Sequence, residues 1–301
     1  MPSPRNVGTM STSLDATMAR RMWAVGEPVH AVTYFAPESI AAWAEAGLRG
    51  FWRGYFATRA APLGLVGPDV VTAAFYNFAL PMVARAVPEV WAMATPADAW
   101  AARVEGVDRG LRAAVADDAA LAGPEMREAA DLARRAATAC APAGRVLFAA
   151  HLALDWPDAP HLALWHALTL LREFRGDGHN AALLAANVDG CQAHVLAGAT
   201  GGAPREATQP NRGWTDDEWV DAEARLTERG LLTPGRPDEA AEAGRALRDA
   251  IELCTDQTDL APWQALGEDA TDRLHALVRP LSKIIVEGGG LPQPNPMGLT
   301  W

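Results

Sequence analysis

With 301 residues, half of them hydrophobic, the chain can bury a sizeable core and is long enough for two domains of ordinary size. Its formal net charge is −11 and Lys283 is its single lysine, so arginine carries almost all the positive charge. Heavy Ala, Arg and Gly usage reflects coding bias rather than a nucleic-acid signal, and an acidic chain repels phosphate. No apolar run reaches the roughly 18–20 residues of a membrane span. Residues 1–22 hold no continuous apolar block of the kind a secretory signal needs, which predicts a cytoplasmic protein. Cys140, Cys191 and Cys254 are far apart and lack C-x-x-C spacing; they read as small buried hydrophobes, not as a disulfide framework or zinc site.

Residues 1–18 are polar and aperiodic, the composition of a disordered tail. Residues 19–155 predict an all-helical domain. Pro37 and Glu38 open a helix on which Ile40, Trp43, Ala44 and Leu48 recur at helical spacing, with Gly47 and Gly50 marking its end. Pro68 and Asp69 open another, with Val70, Ala73, Ala74 and Phe78 along one side. Further helices are predicted over 95–115 and 124–139, each with Pro in its first turn. The Asp-Trp-Pro-Asp-Ala-Pro run at 155–160 is a rigid break that marks a domain boundary, with a second domain over 160–301. A helix over 161–174 follows, ended by Gly176, and Asp177 is placed to cap the next helix over 181–188. Residues 191–199 are helical and 198–213 form a Gly/Pro-rich loop.

Thr215 followed by Glu218 is a capping-box pattern. The helix it opens carries Trp219, Ala222 and Leu226 and ends in Arg229-Gly230-Leu231-Leu232. A short polar strip over 233–243 and a helix over 247–253 complete the outline of a winged helix of the kind found in MarR-type regulators. The fold class is therefore mainly α: an N-terminal helical domain and a C-terminal winged-helix-like domain with at most a short β wing. Over 214–230 the chain offers Asp216, Asp217, Glu218, Asp221, Glu223 and Glu228 against Arg225 and Arg229. Six carboxylates against two guanidiniums disfavour entry into a DNA groove, even with Arg205, Arg212 and Arg236 nearby.

The sequence resembles a family of actinobacterial helix-turn-helix proteins with a helical N-terminal half and a MarR-like winged-helix C-terminal half. The likeness runs through Glu27-Pro28-Val29-His30, Tyr34-Phe35-Ala36-Pro37-Glu38, Gly54-Tyr55-Phe56-Ala57, Arg59-Ala60-Ala61-Pro62-Leu63-Gly64, Phe75-Tyr76-Asn77-Phe78, residues 171–179, Thr255-Asp256 and Pro294-Asn295-Pro296-Met297-Gly298. It implies the architecture and no particular activity.

Three groups of residues suit chemistry. The run Glu173, Phe174, Arg175, Gly176, Asp177, Gly178, His179 gathers Arg, Asp and His at a glycine-punctuated elbow. A turn there converges an anion-binding Arg175 and a His179 acid or base, with Glu173 as the partner of either; a capped turn with an Arg-Asp pair is the structural alternative. His30, Tyr34 and Glu38 fall four apart and share a face if the segment is helical, although Pro37 argues against one continuous helix. Trp52, Arg53, Tyr55, Phe56 and Arg59, with Tyr76 and Asn77, form an aromatic-basic set able to grip a flat or anionic ligand; packed rings under arginine stems are the alternative.

Neither a metal-ligand spacing, nor G-x-G-x-x-G after a strand, nor a phosphate loop, nor G-x-S-x-G is present, so no metal and no cofactor is expected. The sequence points to a small-molecule-binding protein with a pocket between the halves that admits an aromatic or anionic ligand. A cofactor-independent enzyme using His179 with Asp177 or Glu38 is the alternative, and a ligand-responsive MarR-like regulator is third. The apolar face of residues 270–287, with Leu274, Leu277, Leu281 and Ile285, suits a homodimer, and residues 292–296 suggest an extended arm.

Overall fold

The computed structural model describes residues 15–292 and 299. The first half runs α1 (Ala16–Phe35), α2 (Pro37–Glu45), α3 (Phe51–Ala60), α4 (Pro68–Phe75), α5 (Leu80–Ala84), α6 (Val90–Met93), α7 (Pro96–Val115), α8 (Asp118–Leu121), α9 (Pro124–Thr138) and α10 (Val146–Leu152). The second runs α11 (Pro160–Ala185), α12 (Gly190–Ala199), α13 (Arg205–Thr208), α14 (Asp216–Glu228), β1 (Leu232–Thr233), β2 (Arg236–Ala240), α15 (Glu242–Thr258), α16 (Ala261–Leu266) and α17 (Glu268–Glu287). The protein is mainly helical, and β1 and β2 form one short antiparallel hairpin.

Local signals set the helix starts. Pro stands in the first turn of α2, α4, α7, α9, α11 and α16, where its missing N–H costs nothing. Capping boxes pair Thr95 with Asp98, Asp189 with Gln192, and Thr215 with Glu218. The largest core joins both ends of the chain, with Val29 of α1, Leu132 of α9, Trp165 and Leu168 of α11, and Val278 of α17 in one cluster. A second core is built from α2 to α7, and a third holds α12 and α14 together through Val195, Leu196, Trp219 and Leu226.

Helix α11 differs from the expected elbow. It runs unbroken for 26 residues through Gly176 and Gly178. Gly178 is there for closeness, not for a turn: a Cβ would lie 2.7 Å from the Thr258 hydroxyl and 2.8 Å from the Arg145 guanidinium. Asp177 caps no following helix either. Its carboxylate accepts from the backbone N–H of Phe148 at 2.9 Å, at the start of α10.

Two smaller differences follow the same logic of packing over pattern. Helix α4 stops at Phe75 because Tyr76 adopts φ 65°, so Phe78 lies beyond it. The apolar face of α17 that suited a homodimer is buried inside the chain, Leu274, Val278, Leu281 and Ile285 packing into the largest core. Of the tail expected over 1–18, residues 1–14 lie outside the described residues, and Ala16 to Met18 already belong to α1, capped by Asp15. The arm over 292–296 lies outside them except for Pro292, with Leu291 and Leu299 buried against Ala31. No helix among the described residues is long and apolar enough to cross a membrane.

Candidate functional site

His166, Thr169, Glu173 and Asp177 are spaced by three and four, so they form one polar stripe along α11. All four are buried, and α1, α3, α7 and α10 close over the stripe. Glu173, fully buried, receives two parallel bonds from Arg59 of α3, Nε to Oε1 at 3.2 Å and Nη2 to Oε2 at 3.1 Å. Arg172 Nη1 donates to the same Oε2 at 2.9 Å, and its Nε lies 3.7 Å from Glu27 of α1. Arg59 Nη1 donates to the Tyr55 hydroxyl at 3.1 Å. Arg103 of α7 donates to the Tyr34 hydroxyl and to the Thr58 carbonyl, both at 3.2 Å. His30 is hydrogen-bonded to Thr169 at 3.0 Å, and its ring meets that of Tyr34 edge-on at 5.4 Å.

The electrostatics follow from burial and pairing. Burial opposes ionisation of Glu173, but Arg172 and Arg59 override it and hold its carboxyl well below the usual range. Glu27 is pushed up by burial, which outweighs the pull of Arg172. Burial and neighbouring arginines also push His30 down, and hold His151 at about 4 and His166 at about 3, so these rings are neutral at pH 7. The His151 Nδ1–H donates to the Leu147 carbonyl at 2.8 Å, which leaves Nε2 as a buried bare acceptor. Glu27 Oε2, His30 Nε2, Arg103 Nε and both nitrogens of His166 are likewise buried without a hydrogen-bond partner. A cavity of about 20 Å³ touches this network at Glu27 and Arg172, with Trp23, Arg175, Asp259 and Trp263 on its other walls.

Residues singled out in separate stretches of sequence meet here: His30, Tyr34, Tyr55, Arg59 and Glu173. Trp52 and Phe56 adjoin them in a ring cluster with Phe75 and Phe78, all centroid pairs lying within 5.1–6.3 Å except Trp52 to Phe75. The rings fill the place where an open aromatic pocket was expected. Arg53 is outside the site, exposed and paired with Glu89. Tyr76 and Asn77 join the two halves: the Tyr76 hydroxyl donates to the Val188 carbonyl at 2.6 Å, and the Asn77 carbonyl receives His194 Nε2 and Trp214 Nε1, both at 3.2 Å.

The three residues expected to work as acid and base are not brought together, because α11 is continuous. Asp177, pushed up to about 6 by burial, faces α10. His179, held at about 4 by burial, is hydrogen-bonded to Thr255 of α15 at 2.9 Å. Glu38 stands on α2, which Ala36 separates from α1. Arg175 turns away from Glu173, lying 2.6 Å from Asp256, 3.6 Å from Asp259 and 5.1 Å from the Trp23 ring. Arg103, Arg172, His151 and His166 were missed. Their signal was an ionisable residue inside an apolar helical stripe, as with Arg103 beside Ala99, Ala102 and Val107.

The second half carries a different surface. On α14, Asp216, Asp217, Glu218, Asp221 and Glu228 are exposed. Arg225 is held by Asp189 at 2.7 Å and Asp221 at 2.8 Å, Arg205 by Asp216 at 2.6 Å, and Arg229 by the carbonyls of Asn187 and Ala186. The described residues hold no group of three or more His, Cys, Asp or Glu able to bind a metal. Residues 19–292 match a family model described as a helix-turn-helix family. No curated protein and no solved structure matches the chain.

Proposed function

Because the chain belongs to the helix-turn-helix family, we propose that it is a small-molecule-binding protein whose helix-turn-helix half serves as scaffold and does not read DNA. The order α12, α14, hairpin, α15 supports a winged helix of the MarR type as that scaffold. Its exposed carboxylates and engaged arginines argue against phosphate contact, since each phosphate neutralised needs a free cation.

One observation carries the binding reading: Arg59 and Glu173 are interlocked in the core, with the half-buried Arg172 on the same carboxylate, ringed by buried polar atoms without partners. Stability does not call for such a cluster, because desolvating buried ion pairs costs about as much as their attraction returns. A binding site does call for it. Native mass spectrometry of protein purified without denaturation tests the reading. A retained mass that disappears after unfolding and refolding is expected; a bare polypeptide mass from every expression host counts against it. A low-salt gel shift on mixed-sequence duplex DNA tests the second clause, with no retarded band expected.

A further inference from the structure

Arg212, in the loop between α13 and α14, is the cation this site has not accounted for. Its guanidinium lies over the Phe78 ring at 4.7 Å, and Arg59 lies over the neighbouring Phe75 ring at 4.1 Å. The two rings are 6.3 Å apart, and Tyr55 touches both, at 5.7 Å and 6.2 Å. Arg212 Nη1 donates to the Asn211 carbonyl at 2.9 Å, Nε is buried without a partner, and among the described residues no carboxylate lies within ion-pair distance. The backbone holds it in place: the Ala79 N–H donates to the Arg212 carbonyl at 2.9 Å, and Gly213 packs so tightly on Met82 that a Cβ would lie 2.4 Å away. Around the site, Arg59, Arg103, Arg172 and Arg212 face Glu27, Glu173 and, more distantly, Asp177 as counter-charges.

We propose that Arg212 and the Tyr55 hydroxyl form an anion site and that its occupant is an aromatic carboxylate. This deepens the binding reading above and rests on it. The Tyr55 hydroxyl accepts from Arg59 and so keeps its own proton to donate to an anion. Trp52, Tyr55 and Arg212 are half-buried, which gives access from one side, and the Trp52 ring provides a face for stacking. Of the arginines around the site, Arg212 alone has neither a carboxylate partner nor a second hydrogen bond, and one such guanidinium calls for a single negative charge. The cation's poor surroundings agree: burial lowers the Arg212 pKa against an opposing pull from Tyr55, and Arg59 and Arg172 lower it further.

Thermal unfolding with benzoate and with neutral benzamide, at matched ionic strength, tests the assignment. Saturating benzoate should raise the wild-type unfolding temperature by about 5 °C, and benzamide should not. R212Q should unfold, ligand-free, at or above the wild-type temperature and lose the benzoate shift, while Y55F should keep the shift with affinity about tenfold weaker. Equal shifts with the two ligands, a full benzoate shift in R212Q, or a large fall in the ligand-free stability of R212Q would each overturn the proposal. So would silence from benzoate. In that case a retained mass by native spectrometry leaves the binding reading standing, and a bare mass removes both.

Discussion

The stripe on α11 and the face of α14 are built from the same residue types, arginine with Asp or Glu, and the physics of the two is opposite. On α14 the carboxylates stand in water, and the arginines beside them take up nearby acids or carbonyls. Such pairs are screened and worth little. On α11 the charges are out of water, Glu173 has two guanidiniums on it, and neighbouring polar atoms have no partner. Counting charges along the chain cannot separate these regions. What separates them is whether each charge has been left its solvent, and only where it has not does the arrangement demand a purpose other than solubility.

Mutation breaks or sharpens this contrast. The largest effect is expected from Glu173→Ala, which strands Arg59 in the core: a loss of about 3–5 kcal/mol in urea unfolding. A loss below about 1 kcal/mol would place Glu173 in the same class as the α14 acids. Gly190→Ala comes next, since its Cβ would lie 2.3 Å from the Tyr76 carbonyl at the joint between the halves. About 1–3 kcal/mol is expected, and an unchanged urea midpoint would mean that the joint yields freely. Acid should act on the buried half of the contrast. His166 has a folded pKa of about 3 against an ordinary 6.5, so the unfolded chain binds the extra proton and stability falls as pH drops from about 6.5 toward 3. Asp177, raised to about 6, works the other way between about 4 and 6, but His151, His179 and His194 add to the acid loss. Urea midpoints at pH 7 and pH 5 should show His166→Asn removing up to about 1.4 kcal/mol per pH unit of this slope. Arg225→Ala on α14 should cost least, below about 1 kcal/mol and less again in high salt.

What the sequence discloses is whatever is decided within a few residues. Thr215 and Glu218 cap α14 as their spacing requires, as do Thr95 and Asp98 for α7, because both partners lie in one turn. Gly176 and Gly178 misled because a glycine in a helix and a glycine in a turn look alike until Arg145 and Thr258 arrive from elsewhere. The site was legible in pieces. His30, Tyr34, Tyr55, Arg59 and Glu173 each stood out by type, yet Arg59 and Glu173 are 114 positions apart and no local rule joins them. Arg212 read as a loop cation because the Phe78 ring beneath it belongs to the other half.

One contact bears on how the chain comes to be folded at all. The Ser282 hydroxyl of α17 donates to the Val25 carbonyl of α1 at 2.5 Å, across 257 residues. Helix α1 thus finds this partner only when α17 is made. Until residue 282 leaves the ribosome, the α1 surface that α17 covers is bare, and the largest core lacks a wall. At an elongation rate of about 5–20 residues per second, that wait lasts on the order of 10–50 seconds. Folding half by half during synthesis cannot complete the largest core; its closure waits for α17 and is a high-contact-order step. Chains truncated before α17 should be the form that chaperones hold.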